Sequence, residues 1–332
     1  MCTARRSPFL LLPLLLAIPL QLAGCSPDHP KAVDAGQNQQ APWVQPAKPS
    51  GTTGSAAAVS PTSLERPAPP AATPVVPTTT PKAVAVTATA DSAVPGPALP
   101  AQDVPVTAGK DWWIPSHRTG VAPLWPRDMV DPLRPYQALY HIPDSGTALY
   151  LTFDEGYENG FTPQILDTLS SMNVPATFFV TGQFVNEHPD LVRRMAELGF
   201  AVGNHSYDHP DMTTLDDEKQ KAQFNKLSEK VAQLTGRAPR HYRPPMGRYN
   251  LHNVALAHDL GMQTVFWSIA YKDWEVDRQV GATAALPKVL KQLHPGAVIL
   301  LHAVSEDNAM MLPQLINECR AQGYTFQSLP VQ

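Results

Sequence analysis

Two histidines stand four residues apart in the segment Asn204-His205-Ser206-Tyr207-Asp208-His209. Residues i and i+4 share a face over one helical turn, a good spacing for two imidazoles on one divalent metal. Pro210 follows and biases His209 away from helical angles, so the segment reads as a single turn or loop. A metal held by two neutral imidazoles wants an anionic oxygen as third ligand and an open position for water. Two adjacent acids, Asp154 and Glu155, end the apolar run "LYLTF" and precede Gly156. Neighbouring side chains on a strand face opposite ways, and a strand end backed by glycine can turn them apart. One acid can then ligate while the other takes a proton.

Three more segments add groups of the right kind. Arg243 precedes Pro244-Pro245, and a guanidinium beside a carboxylate keeps it ionised and aimed. Asp273 precedes Trp274, and His302 ends the run "AVILLH". An Asp bonded to a His fixes its tautomer and raises its hold on a proton, which suits a general acid. Taken singly, Arg243 reads as a surface ion pair, Asp273 as a helix cap and His302 as a core histidine. Together, in this order and at successive strand ends, they read as one site.

Those groups need a frame that brings strand ends together. From Thr147 onward, short apolar runs alternate with helix-like patterns: "TALYLTF", "PATFFVT", "FAVGNH", "RHYRPP", "MQTVFWSI", "AVILLH" and "YTFQSL" are the strands. Helices lie between them, such as the 215–236 segment with Phe224, Leu227, Val231 and Leu234 on one stripe. Alternation of this kind predicts an α/β fold with a parallel sheet, either open and doubly wound or closed as a barrel. In both, chemistry belongs at the C-terminal strand ends, where "FDEG", "NHSYDH", "RPP", "YKDW" and "LLH" fall.

Ahead of that frame the composition differs. Arg5 and Arg6 precede the apolar run "FLLLPLLLAIPLQLAG", too short for a membrane span, and Leu22-Ala23-Gly24-Cys25 closes it. This is similar to a bacterial lipoprotein signal: residues 1–24 would be removed and Cys25 lipidated. The chain would then be exported and anchored to the outer face of a bacterial membrane. Residues 25–110, rich in Pro, Ala and Thr, have too little to bury and read as a disordered tether. Residues 111–146 bring tryptophans and read as an extension packed on the domain at 147–332. A net charge of −4 gives no basic field for nucleic acid. The chain has 3 Cys; with Cys2 removed and Cys25 lipidated, Cys319 is left without a disulfide partner. No segment indicates a protein partner.

Five motifs, Thr152-Phe153-Asp154-Glu155-Gly156, His205-Ser206-Tyr207-Asp208-His209, Arg243-Pro244-Pro245, Asp273-Trp274 and Leu300-Leu301-His302, occur in the order of the NodB-homology polysaccharide deacetylases, carbohydrate esterase family four. The resemblance covers about 147–330, and the longer strings "YLTFDEGYENG" and "GNHSYDHPDMTT" resemble most the peptidoglycan N-acetylmuramic acid deacetylase branch. It implies a distorted (β/α) barrel of about seven strands with a metal at its mouth. Asp154 is then the base, Arg243 its orienting partner, His205 and His209 metal ligands, His302 the acid and Asp273 its tuner. Trp274 and Leu300 would line an acetyl pocket, and a backbone N–H near Met246 would meet the oxyanion. The family pattern has Asp where this chain has Glu155, as third metal ligand; the extra methylene moves the oxygen by about 1.5 Å, so Glu155 would ligate directly, through water, or swing away and leave a two-His site, with direct or water-bridged ligation expected. Zinc suits the nitrogen-rich set.

The implied substrate is the N-acetylmuramic acid of peptidoglycan, with muramic lactam as a further product. Its lactyl carboxylate would call for a cation, for which Arg248 and Lys272 stand near the mouth motifs. The alternatives are an N-acetylglucosamine polymer as substrate, an O-acetyl ester, or a non-catalytic cell-wall-binding lipoprotein.

Overall fold

The computed structural model describes residues 97–331. The signal segment 1–24, Cys25 and the tether up to residue 96 lie outside the described residues. Strand β1 (Lys110–Asp111) and the single turn α1 (Arg127–Val130) precede the main sheet. There follow β2 (Ala148–Glu155), α2 (Thr162–Ser171), β3 (Ala176–Val180), α3 (Gly182–Glu187), α4 (Pro189–Glu197), β4 (Ala201–Asn204) and α5 (Asp217–Thr235). The second half runs β5 (His241–Tyr242), β6 (Arg248–Tyr249), α6 (Leu251–Asp259), β7 (Gln263–Thr264), α7 (Ala282–Leu290), β8 (Ala297–His302), α8 (Glu306–Ala321) and β9 (Thr325–Phe326).

Seven strands form a parallel sheet in the order β7-β5-β4-β3-β2-β8, with β9 paired to the start of β2. The central strands are buried on both faces, as parallel strands between layers must be. On β2, Leu149, Leu151 and Phe153 join one apolar cluster with α2, α7 and α8, while Ala148 and Tyr150 join another with Trp112, Phe266 and α6. On β8, Ala297, Ile299 and Leu301 take the first face and Val298 and Leu300 the second. Asp154 and His302 continue the second set by the two-residue period, and Glu155 continues the first.

The helices begin and end where local chemistry directs. Asp216 caps α5 through Lys219 N, and Gly236 at φ 74 ends it. Asn250 and Asn253 close a reciprocal cap on α6.

The expected long strand "MQTVFWSI" is only two residues of strand, and the reason lies in its partners. Val265 bridges to Leu139 from the N-terminal extension, and Ile269 bridges to Ile299 on β8. The chain after β7 thus crosses from one end of the sheet to the other and brings the sheet round into a half-barrel.

Residues 97–110, which composition assigns to the tether, lie against the barrel. Ala101 and Val104 are buried, Ala101 N donates to Asp259 at 2.7 Å, and Asn250 donates to Thr107 O at 2.9 Å. A stretch poor in large apolar residues is ordered here by hydrogen bonds from α6, which its own composition does not reveal. Further along the extension, Trp112 is fully buried, stacked 4.3 Å from Phe266 and bonded through its indole N–H to Trp267 O at 2.8 Å.

Candidate active site

Asp154 and His302 are register partners at the C-terminal ends of β2 and β8. Both are buried. Arg243, just after β5, donates from Nη1 to Asp154 Oδ1 at 2.7 Å. Its Nη2 donates to Thr152 Oγ1 at 2.9 Å, and its Nε to Val265 O at 3.2 Å. The guanidinium also lies 4.2 Å from the centre of the Phe179 ring. Thr152 in turn donates to Ile299 O at 2.6 Å. Sequence reading missed Thr152; the signal was its position two residues before Asp154, on the same strand face. Burial alone would raise the Asp154 pKa, but the Arg243 charge, then His205 and His302, and the Arg243 hydrogen bond together outweigh it and hold the carboxyl below its usual range.

His302 is held from behind by the loop before α7. Its Nδ1 donates to Asp273 Oδ1 at 2.7 Å, and its backbone N–H donates to Asp273 Oδ2 at 2.9 Å. Burial pulls the imidazole pKa down, yet the Asp273 carboxylate, followed by Asp154, carries it above the ordinary value. Trp274 lies beside it, ring centres 5.6 Å apart, and Leu300 is buried two residues earlier on the same strand.

The two histidines of the loop after β4 come together, ring centres 4.8 Å apart. They do so through a loop and not a helix, with Ser206 at φ 62 and His209 at φ 55. His205 Nδ1 lies 2.8 Å from Arg243 O. A carbonyl only accepts, so Nδ1 carries the proton and Nε2 keeps its lone pair. That Nε2 faces Asp154 Oδ2 at 3.4 Å, and neither atom has a hydrogen-bond partner. A buried lone pair opposite a buried carboxylate oxygen suits a cation between them, and an anchored Nδ1–H is the usual support of a ligating imidazole. Burial lowers the pKa of both His205 and His209, that of His209 to well below its ordinary value.

Glu155 goes elsewhere. Its carboxylate accepts from Thr162 Oγ1 of α2 at 3.3 Å, on the helix-covered face. Burial first, then the neighbouring Glu158 charge, pushes its pKa well above the usual carboxyl range. Among the described residues no three His, Cys, Asp or Glu side chains gather as a metal-holding set. The chain therefore fits a divalent ion through two imidazoles, without a Glu155 oxygen beside them.

The remaining sequence-nominated groups are also located. Met246 takes a left-handed conformation, φ 59, in the turn between Pro244 and Arg248. Arg248 bonds Asp111 at 3.2 Å and Asp211 at 2.8 Å, tying β1 to the barrel. Lys272 pairs with Glu275 at 2.6 Å. Both cations thus already hold acids of this chain.

This arrangement has a lowered carboxyl, a raised imidazole and two neutral imidazoles at adjoining strand ends, the equipment for hydrolysing an acyl group. A family model described as polysaccharide deacetylase matches residues 141–265. The chain is 44% identical over 195 residues to the peptidoglycan-N-acetylmuramic acid deacetylase PdaA of Bacillus subtilis, spanning 58% of this chain and 74% of that protein. It is 33% identical over 199 residues to a peptidoglycan-N-acetylglucosamine deacetylase of Bacillus cereus, spanning 59% of this chain and 71% of that one. The solved structure of Bacillus subtilis PdaA, described as a family 4 carbohydrate esterase, superposes with a TM-score of 0.65 at 39% identity, over 68% of this chain and 96% of that chain. Identity at this level across most of those relatives, on the same half-barrel, settles the family: the chain belongs to the polysaccharide deacetylases, the family 4 carbohydrate esterases, which hydrolyse N-acetyl amides.

Proposed function

We propose that the protein removes the acetyl group from N-acetylmuramic acid in peptidoglycan, with Asp154 as general base and His302 as general acid. The observation that carries this reading is the opposed pair itself: Asp154 bonded to Arg243, and His302 bonded to Asp273 on the neighbouring strand's side. Two groups whose surroundings push their pKa values apart divide base and acid roles.

In the proposed reaction Asp154 takes a proton from a water as its oxygen bonds to the acetyl carbon. The backbone turn at Met246 offers an N–H to the oxygen that gains charge. His302 then passes its Nε2 proton to the amide nitrogen as the C–N bond breaks, leaving acetate and a free amine on the sugar. A divalent ion, zinc by the nitrogen-rich donor set, would be held by His205 and His209. When bound there it would lower the pKa of water and polarise the acetyl carbonyl.

Muramic acid is preferred over glucosamine because the muramic acid deacetylase is the nearer of the two relatives compared, 44% against 33% identical. Treating peptidoglycan with the protein, digesting it and identifying the amino sugar that lost acetate tests this. Free muramic amine, or its lactam, is expected; free glucosamine amine alone would move the substrate to the second relative's sugar. The lipoprotein signal and Cys25 support an exported, membrane-anchored setting, tested by labelling cells with a fatty acid and comparing Cys25→Ser.

A further inference from the structure

We infer that Asn308, at the start of α8, is a positioning residue that locks the Asp273–His302 pair in working alignment. The inference rests on the roles proposed for that pair. Asn308 is fully buried and joins three parts of the site with one amide. Its Nδ2 donates to Asp273 Oδ2 at 2.5 Å and to His302 O at 3.0 Å. Its Oδ1 accepts from Tyr271 OH at 2.6 Å, and its backbone N–H donates to Ser305 Oγ at 3.2 Å.

Those bonds fill a gap in the pair's own geometry. Asp273 Oδ1 faces the His302 ring and Oδ2 faces the His302 backbone, so both bonds come from His302 and a donor from another element is needed to tie the carboxylate to the rest of the fold. Asn308 supplies that second donor. It also holds the His302 carbonyl, so carboxylate and imidazole backbone are tied to one planar group. The Asp273 carboxylate and the His302 carbonyl only accept, so they set which way the amide faces, and Tyr271 then donates to its oxygen. The surrounding loop is tied down as well. Asp307 Oδ2 accepts from Val280 N and Gly281 N, both at 2.9 Å. Gln279 accepts from Ser305 Oγ at 2.6 Å and donates to Asp273 O at 2.9 Å. The first turn of α8 thus holds the loop that carries Asp273, without itself reaching the catalytic atoms.

The test compares the full chain with Asn308→Ala and Tyr271→Phe. Acetate release from peptidoglycan should show kcat reduced roughly tenfold to a hundredfold in Asn308→Ala, within the range that a misaligned general acid forfeits, with KM unchanged. Tyr271→Phe should show a smaller loss, again in kcat alone. Imidazole NMR supplies an activity-independent readout: the downfield Nδ1 proton of His302, expected in the parent, should broaden or move upfield in both variants. Unchanged kcat and an unmoved His302 signal in Asn308→Ala would overturn the inference, as would a change in KM alone. If Asn308→Ala does not fold, Tyr271→Phe decides by the same criteria. If the parent releases no acetate, the deacetylase reading fails, and the His302 signal alone decides whether Asn308 holds the pair.

Discussion

Asp154 and His302 sit opposite each other in the β2–β8 register, each backed by a buried partner of opposite charge. Arg243 lowers the pKa of the first, which favours its anion, and Asp273 raises that of the second, which favours its protonated form. Hydrolysis of an amide needs both states at one pH, because water must lose a proton and nitrogen must gain one.

The Asp273 support makes the alkaline side of the pH profile movable. The His302 pKa is raised in the folded protein, so its proton, and the stability linked to it, are retained below the unfolded value of ~6.5 and lost as pH rises through the folded value. Replacing Asp273 by Asn removes the main upward influence and leaves burial, which acts downward. The alkaline limb of kcat should therefore move to lower pH in Asp273→Asn, measured on acetate release across a pH series.

The Asp154–Arg243 pair should carry stability as well as activity. Both side chains are fully buried, so Asp154→Asn leaves a guanidinium without its anion, a loss of about 3–5 kcal/mol for a broken buried pair. Chemical denaturation should report that loss. The double variant Asp154→Asn/Arg243→Met should recover part of it, with activity still absent.

Gly203 illustrates how the sheet supports that pair from a distance. A Cβ there would stand 2.5 Å from the Phe179 ring, on which the Arg243 guanidinium rests. Gly203→Ala should cost about 1–3 kcal/mol as an overpacking change and lower acetate release, whereas Gly236→Ala, with open space around its Cβ but a left-handed backbone, should cost stability through strain and leave activity intact. Unfolding curves and turnover for the two variants check this.

Much of this site is legible in the sequence because Asp154 and His302 close apolar runs, and a run buried on both faces ends where its strand ends. Arg243 is marked instead by the prolines that stop the short strand before it, and the packing of β2 and β8 follows the two-residue period. What escapes such reading depends on partners distant in the chain. The long run "MQTVFWSI" yields a two-residue strand because Leu139 and Ile299 divide its bridges. Arg248, free to read as a substrate cation, is engaged by Asp111 and Asp211. The side on which Glu155 falls follows from the two-residue period of β2, which carries it with Leu151 and Phe153 to the face where Thr162 of α2 meets it.

That orientation of Glu155 separates it from the two imidazoles in function. Glu155→Gln preserves shape and can still accept from Thr162, so acetate release and metal content should stay close to those of the parent. His205→Ala should lose bound metal and activity together. Metal analysis of the purified variants beside their turnover distinguishes the two positions.

The central claim is that the anionic Asp154 and the protonated His302 act together on an N-acetyl group. Its most direct measurement is the paired release of acetate and free amine from peptidoglycan by the parent chain, Asp154→Asn and His302→Ala, with each variant confirmed as folded. The account predicts equal amounts of acetate and amine from the parent and a loss on the order of a hundredfold or more in each variant, the scale of general acid and base catalysis. Release at the parent rate by either folded variant, or acetate without a matching amine, would contradict it.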